Sequence, residues 1–125
     1  MADLDTKALQ IETIEVPTFW CHLYVCGDIE QIRRIVRSEC WGVGLCVTVT
    51  QTDFIYTGGL EAGVEIGFVN YPRFPSASDE VMTKVEALAH RLIEECHQWT
   101  ALAVTQQTTT MFKRRDEKRE KARVK

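Results

Sequence analysis

The sequence contains no apolar run near the roughly 20 residues that a membrane-spanning helix needs. Its first residues are acidic and polar, so the basic and apolar blocks of a signal peptide are missing as well. We therefore expect a cytoplasmic protein with no membrane association. In a reducing cytoplasm the five cysteines should be free thiols. The net charge of −3 provides no general electrostatic attraction to nucleic acid.

Motifs of several large enzyme classes are also absent. The chain has no Walker sequence, Gly-x-Gly-x-x-Gly fingerprint, Gly-x-Ser-x-Gly, His-Glu-x-x-His or Cys-x-x-Cys, and we find no paired-carboxylate signal. A Cys/His nucleophile pair, Cys26 with His97 or His22, is the one catalytic arrangement that the residue types leave open. We predict a protein that is not an enzyme.

What is present is a regular alternation of strand and helix patterns over one domain of ordinary composition, 45% hydrophobic and 26% charged. Apolar residues at steps of two predict strands, and apolar residues at steps of three and four predict helices. Asp28 is the expected N-cap of the first helix, and Gly58 with Gly59 predicts a hairpin turn. The predicted elements are a strand over 18–26, a helix over 29–39, strands over 43–57 and 64–71, a helix over 79–98 and a strand over 100–112.

This order, β-α-β-β-α-β, predicts an α+β, ferredoxin-like fold. Such a fold has a four-stranded antiparallel sheet with two helices on one face, here with a long hairpin between the second and third strands. Within residues 43–57 the apolar phase shifts past Gln51, which predicts a bulge near residues 51–53. We expect residues 1–17 to be a flexible arm, 18–112 the domain and 113–125 a charged tail.

The sheet face without helices should not be free. In the first strand one alternating set is apolar and suits the helices, whereas the other set is Trp20, His22, Tyr24 and Cys26. An exposed face of this kind usually packs against another subunit. A strand over 43–57 would span about 50 Å at ~3.3 Å per residue, against a domain radius of gyration of ~13 Å. We therefore expect its distal half to reach a neighbouring subunit in an obligate oligomer.

Four stretches between residues 22 and 104 together resemble the CutA family of trimers, which are related in fold to the PII signalling proteins. They are "LYVC" ending at Cys26, "GLCV" with Cys46, "FIYTGGLEAGVEIGFV" with Tyr56 and Glu65, and "HQWTALAV" with His97. The resemblance implies a homotrimer with small-ligand sites between subunits. It also implies a copper or zinc site at Cys26, Cys46 and His97, whose thiolate and imidazole groups suit those metals.

The alternative for the cysteines is that they act as small buried hydrophobes. For the second implied ligand, a nucleotide-like anion, glycine amides and arginines would be the binding groups. The alternative is that the glycines only form the turn and the arginines only solvate a helix. The expected inter-subunit ligand residues are Arg33, Arg37, Tyr56, Gly58, Gly59, Glu65, Arg73 and Trp99.

The sequence thus predicts a non-enzymatic, trimeric CutA/PII-like protein that binds a nucleotide-like molecule or a divalent or copper ion between subunits. Two other classes stay open. One is an interaction or inhibitor protein that acts through its assembled surface on a partner protein. The other is an RNA-binding module that uses the basic tail over 113–125, although the RNP1 pattern of such modules is absent.

Overall fold

The computed structural model describes residues 8–115. It contains five strands and two helices. Their bounds are β1 Trp20–Cys26, α1 Ile29–Val43, β2 Thr48–Tyr56, β3 Gly59–Val69, α2 Ser78–Glu95, β4 Thr100–Thr105 and β5 Thr109–Lys113. No helix in this part of the chain is both long enough and apolar enough to span a bilayer.

The five strands form one antiparallel sheet in the order β2-β3-β1-β4-β5. The α+β class is confirmed, but the prediction of four strands is wrong, because the predicted last strand is a hairpin. Its turn is closed by the Thr105 N–H, which donates to the Thr108 carbonyl at 2.8 Å, and by the Thr108 N–H, which donates to Thr105 Oγ1 at 3.0 Å. The polar run "TQQT" therefore turns the chain and adds β5 as a new edge.

Both helices pack on one face of the sheet, as predicted. Alternate residues of the strands and one side of each helix form a single buried cluster. Its largest fully buried members are Leu23, Ile32, Ile66, Phe68, Leu88 and Leu92. The opposite face has no helix in the described chain, and we call it the open face.

The first helix begins as predicted and ends later than predicted. Asp28 is the N-cap, and its side chain accepts a hydrogen bond from the Gln31 N–H at 2.9 Å. The helix continues through Gly42 to Val43 and ends at Gly44, which has the left-handed φ of 69°. The following strand is therefore shorter, with nine residues, or about 30 Å at ~3.3 Å per residue. The overlong strand that we used to argue for a neighbouring subunit does not exist.

The predicted bulge near residues 51–53 is also wrong. The β2–β3 register is unbroken from Thr48 opposite Gly67 to Tyr56 opposite Gly59. The apolar phase shifts because the first part of this regular strand places apolar side chains on the helix face, whereas its last part places them on the open face. Val49 packs towards the helices, whereas Phe54 lies on the open face beside Tyr24. The hairpin end, residues 53–56 and 59–62, projects past the end of β1.

The ends of the described chain are attached to the domain at several points. Residues 8–19 form no helix or strand, but the Pro17 carbonyl accepts a hydrogen bond from Asn70 Nδ2 at 2.8 Å. The predicted tail begins inside β5, and Arg114 packs back on the ring of Trp99. Residues 1–7 of the predicted arm and 116–125 of the predicted tail lie outside the described residues.

Candidate functional site

A ladder of rings crosses the open face along β1. The Trp20 and His22 ring centroids are 5.0 Å apart, and the His22 and Tyr24 centroids are 6.4 Å apart. Tyr24 then meets Phe54 of β2 edge to face at 6.2 Å. The ladder follows from the strand period, since every second residue of β1 points to this face.

Glycines on β3 make room for the rings on β2. Gly59 lies directly beneath the Tyr56 ring, and Gly63 lies beneath the Phe54 ring. A Cβ atom at either glycine would overlap the ring above it. The side chains of β2 therefore lie flat across β3, and the open face keeps a depression beside them.

This depression is a groove of about 460 Å³ between the projecting hairpin and β4. We call it the sheet-face groove. Its surface is mostly apolar and aromatic, with a thiol at one side. The lining residues are Tyr24, Val25, Cys26, Phe54, Tyr56, Thr100, Ala101, Leu102 and Met111.

A carboxylate with two donors stands beside this groove. The Tyr56 hydroxyl donates a 2.9 Å hydrogen bond to Glu61 Oε1. The Cys26 thiol also hydrogen-bonds to Glu61, and these two bonds lower the pKa of the Glu61 carboxyl. Burial, followed by the hydrogen bond and charge of Glu61, raises the pKa of the Cys26 thiol to about 12. Glu61 is therefore an anion, and Cys26 a protonated donor rather than a nucleophile.

A second carboxylate lies on the same face of β3. His22 Nδ1 and Glu65 Oε1 are 2.6 Å apart, with Glu65 29% exposed. Tyr24 lies opposite Glu65 in the β1–β3 ladder, and burial followed by the Glu65 charge raises the pKa of Tyr24. Glu61 and Glu65 are four strand residues apart, about 13 Å at ~3.3 Å per residue.

The chemistry of this arrangement favours a cationic ligand with a flat ring. Aromatic faces stack on planar bases and attract cations, and a carboxylate near them adds an opposite charge. A groove of this size accommodates a nucleoside-sized molecule. The protonated Cys26 removes support for the Cys/His nucleophile pair with His97 or His22.

The predicted ligand residues fall into separate places. Tyr56, Gly59 and Glu65 lie on the open face, and Gly58 forms the adjoining turn with φ 83°. Three arginines are elsewhere. Arg33 and Arg37 lie on α1 on the opposite side of the sheet, and Arg73 lies in the β3–α2 loop over the Phe74 ring. Trp99 precedes β4 under Arg114.

The three predicted metal ligands do not meet within one chain. Cys26 ends β1, whereas Cys46 precedes β2 at the Trp20 end of the sheet, about 20 Å away along the strand direction. His97 is exposed after α2, with a left-handed φ of 54°. Within residues 8–115 no three His, Cys, Asp or Glu side chains are grouped to hold a metal ion. The copper or zinc prediction has no geometric support in this chain.

Sequence reasoning missed Phe54 of the groove and the Glu61 carboxylate beside it. The available signal was the period of β3. Since Val64, Ile66 and Phe68 face the helices, Glu61 and Glu65 share the other face. Leu102 and Met111 lie opposite each other in the groove only because β4 and β5 form a hairpin, which the sequence analysis predicted as one strand.

Comparisons with known proteins give a structural likeness only. No family model matches the chain, and no curated protein matches it. Among solved structures, the chain is similar to a phage SAM lyase in complex with S-methyl-5'-thioadenosine, with TM-score 0.71 and 17% identity over 85% of this chain and 97% of that one. It is also similar to a phage SAM lyase in the apo state, with TM-score 0.73 and 18% identity over 86% and 98% of the two chains. These likenesses show a shared fold.

The comparisons correct the functional prediction. The matched structures belong to an enzyme, so the prediction of a non-enzymatic CutA/PII-like binding protein is overturned. The copper or zinc prediction is not tested by these matches. The resemblance to the CutA family receives no support from these matches. The homotrimer is not tested by them and stays a prediction.

Proposed function

We propose that this chain is an enzyme that cleaves S-adenosylmethionine (SAM) in the sheet-face groove and releases S-methyl-5'-thioadenosine. The observation that carries the proposal is the pairing of this groove with Glu61 and Glu65, in a fold shared over most of its length with phage SAM lyases. SAM combines a flat adenine with a sulfonium cation. Those are the two features that aromatic rings and carboxylates recognise.

The bond changes in this reaction require no proton transfer by the protein. In the proposed reaction no water is added, and the group that displaces sulfur comes from the substrate itself. The carboxylate of SAM attacks its own Cγ and forms a C–O bond, while the Cγ–S bond breaks and its electron pair returns to sulfur. The sulfonium becomes the neutral thioether of S-methyl-5'-thioadenosine, and the four-carbon part leaves as homoserine lactone. No proton has to move, so no general base is required.

Each side chain then has a positioning or electrostatic role. The rings of Tyr24 and Phe54 stack with the adenine. The Glu65 carboxylate binds the sulfonium group of the substrate, and the Glu61 carboxylate adds negative charge to the same face. Tyr56 and Cys26 fix the Glu61 carboxylate by donating to it. Holding the substrate carboxylate near its own Cγ raises the fraction of bound substrate molecules that are in a reactive geometry. The apolar wall of the groove further favours a step in which opposite charges cancel.

The predicted homotrimer remains part of the proposal. Large side chains that line the groove are exposed in the single chain, with Tyr56 at 52% and Met111 at 60% exposure. A second copy packed on the open face would cover them and close the groove from solvent. Sedimentation of the purified protein tests this assembly separately from the chemistry.

The direct test is incubation of the purified protein with SAM, followed by chromatography and mass spectrometry of the products. We expect S-methyl-5'-thioadenosine and homoserine lactone, with no oxygen-18 in the lactone when the reaction runs in labelled water. Glu65→Gln should lower kcat/KM roughly 10- to 100-fold, the usual cost of losing a contact to a charged group. Glu94→Gln, an exposed change on α2, is the matched control and should leave the rate unchanged.

Two results would overturn the proposal. One is product formation no faster than in buffer without protein, since SAM also decays slowly by itself. The other is equal activity in Glu65→Gln and in the unmodified protein, which would place the reaction outside this groove.

A further inference from the structure

A second groove lies on the other face of the sheet, between α1 and β2, with a volume of about 530 Å³. We call it the α1–β2 groove. Its floor is aliphatic, and its rim carries Arg33, Arg37 and Trp41. Trp41 is 93% exposed. The floor residues are Val36, Leu45, Val47 and Val49.

This groove is bordered by a free strand edge. The β2 strand is the outermost strand on its side of the sheet, so its outward N–H and C=O groups have no strand partner among residues 8–115. An extended segment placed along that edge gains backbone hydrogen bonds as well as side-chain contacts.

The N-terminal arm, residues 8–16, has complementary chemistry. Its large aliphatic side chains are exposed, with Leu9 at 85%, Ile11 at 80% and Ile14 at 59%. Between and after them it carries the carboxylates of Glu12 and Glu15. The arm is therefore apolar and acidic, whereas the α1–β2 groove is apolar and basic.

Where it joins the domain, the arm of the same chain lies against a part of the sheet away from this groove. It is fixed at Pro17 by Asn70 Nδ2, and Val16 shares a cavity with Gln106 and Gln107 of the β4–β5 turn. That turn lies beyond β1 on the side of the sheet opposite to β2. A copy of the arm that fills the groove is thus best supplied by another molecule.

We propose that the α1–β2 groove binds the N-terminal arm of a second copy of this chain. The side chains of Leu9 and Ile11, which share one face of an extended arm, lie on the groove floor. The carboxylates of Glu12 and Glu15 lie near Arg33 and Arg37. Nine extended residues reach about 30 Å, the length of β2. The exchange is independent of the proposed reaction, because the groove lies on the face opposite to the sheet-face groove.

A disulfide test is available because Cys40 lines the α1–β2 groove. In full-length protein carrying Cys46→Ser, the change Ile11→Cys places a thiol on the arm. Copper–phenanthroline then oxidises the two thiols to a disulfide, with oxygen as the final electron acceptor. We expect linked chains on a non-reducing gel, and their loss when Cys40→Ser is added. Gln107→Cys, an exposed change in the β4–β5 turn, is the matched control and should form no link to Cys40.

The isotopic form of the disulfide identifies the source of the arm. In an equal mixture of nitrogen-15-labelled and unlabelled protein, disulfide peptides that join one labelled and one unlabelled strand support the proposal. If every disulfide joins two labelled or two unlabelled peptides, the arm folds onto the groove of its own chain. If no disulfide to Cys40 forms, the arm does not enter a groove. Either of these results overturns the proposal.

Charge reversal tests the proposed ion pairs between the arm and the rim of the α1–β2 groove. Arg37→Glu should slow formation of the link several-fold, and adding Glu12→Arg with Glu15→Arg should restore it. Arg34→Glu lies on the same helix but does not line the groove, so it should have little effect. Equal slowing by Arg34→Glu, or no recovery on reversing the arm, would overturn the proposed pairing.

Discussion

The Phe54 ring lies so close to Gly63 that a Cβ atom there would be 2.6 Å from ring carbon Cε2. The same atom would also overlap the carbonyl oxygen of Val25 on β1. The ring has room to turn aside, but the backbone of the neighbouring strand does not. The shape of the sheet-face groove therefore depends on a glycine at this position.

Gly63→Ala should destabilise the fold by about 1–3 kcal/mol, the usual cost of overpacking. It should also displace the Phe54 ring and weaken binding of any ring in the groove. Urea denaturation measures the first effect. Gly42→Ala is the control, because a Cβ atom there meets nothing within 4 Å and Gly42 lies in a helix. That change should be neutral or stabilising, by up to about 1 kcal/mol. Equal effects of the two substitutions would contradict the assigned packing.

Glu61→Gln should make Cys26 more reactive. Burial raises the pKa of this thiol first, and the hydrogen bond and charge of Glu61 add to it. Without the Glu61 charge the pKa falls, the thiolate fraction rises, and alkylation by iodoacetamide at about pH 8 becomes faster. Peptide mass spectrometry follows the rate at Cys26. Glu94→Gln should not change it, and an unchanged rate in Glu61→Gln would show that the carboxylate does not act on the thiol.

The order of elements up to β4 was predictable because burial repeats along the chain. The alternation of Cys21, Leu23 and Val25 marks the buried face of β1 without any knowledge of its neighbours. The helix end was not predictable from Gly42, since an exposed helix tolerates a glycine that costs about 1 kcal/mol. The β4–β5 turn was missed because threonine suits both strands and turns.

The site was partly predictable for a related reason. Tyr56 and Glu65 were found from a local stretch, but the partners that give them a role lie across strand pairs. The bond from Cys26 to Glu61 depends on the register of β1 against β3, which a hydrophobic pattern does not specify. The groove itself was missed for the same reason, since its rings and the neighbouring carboxylates come together only across strand pairs.

Raising the pH should destabilise the protein through Cys21. Burial raises the pKa of this fully buried thiol from 9.0 to about 11. The unfolded chain then releases its proton near pH 9 while the folded chain keeps it, so stability falls as the pH rises from 9 towards 11. Two pKa units correspond to about 2–3 kcal/mol. Urea denaturation over this range should show a shallower decline for Cys21→Ala than for Cys46→Ala, and identical slopes would contradict the assignment.

The end of the described chain should be stabilised by Arg114. Its Nη2 donates to the Ile93 carbonyl at 2.7 Å, and its Nε donates to the Gln98 carbonyl at 3.1 Å. The first of these adds a second donor to a carbonyl in the last turn of α2, which also accepts a hydrogen bond from the Gln98 N–H at 3.0 Å. Arg114→Ala removes both guanidinium bonds and frees the edge strand β5, so we expect a loss of about 1–2 kcal/mol. Arg115→Ala, one residue further, is the control and should change stability by less than about 0.5 kcal/mol. Hydrogen exchange locates the effect, because amides in β5 should open faster in Arg114→Ala while those of β1 change only with global stability. Equal protection of β5 in both variants would show that the guanidinium does not anchor this strand.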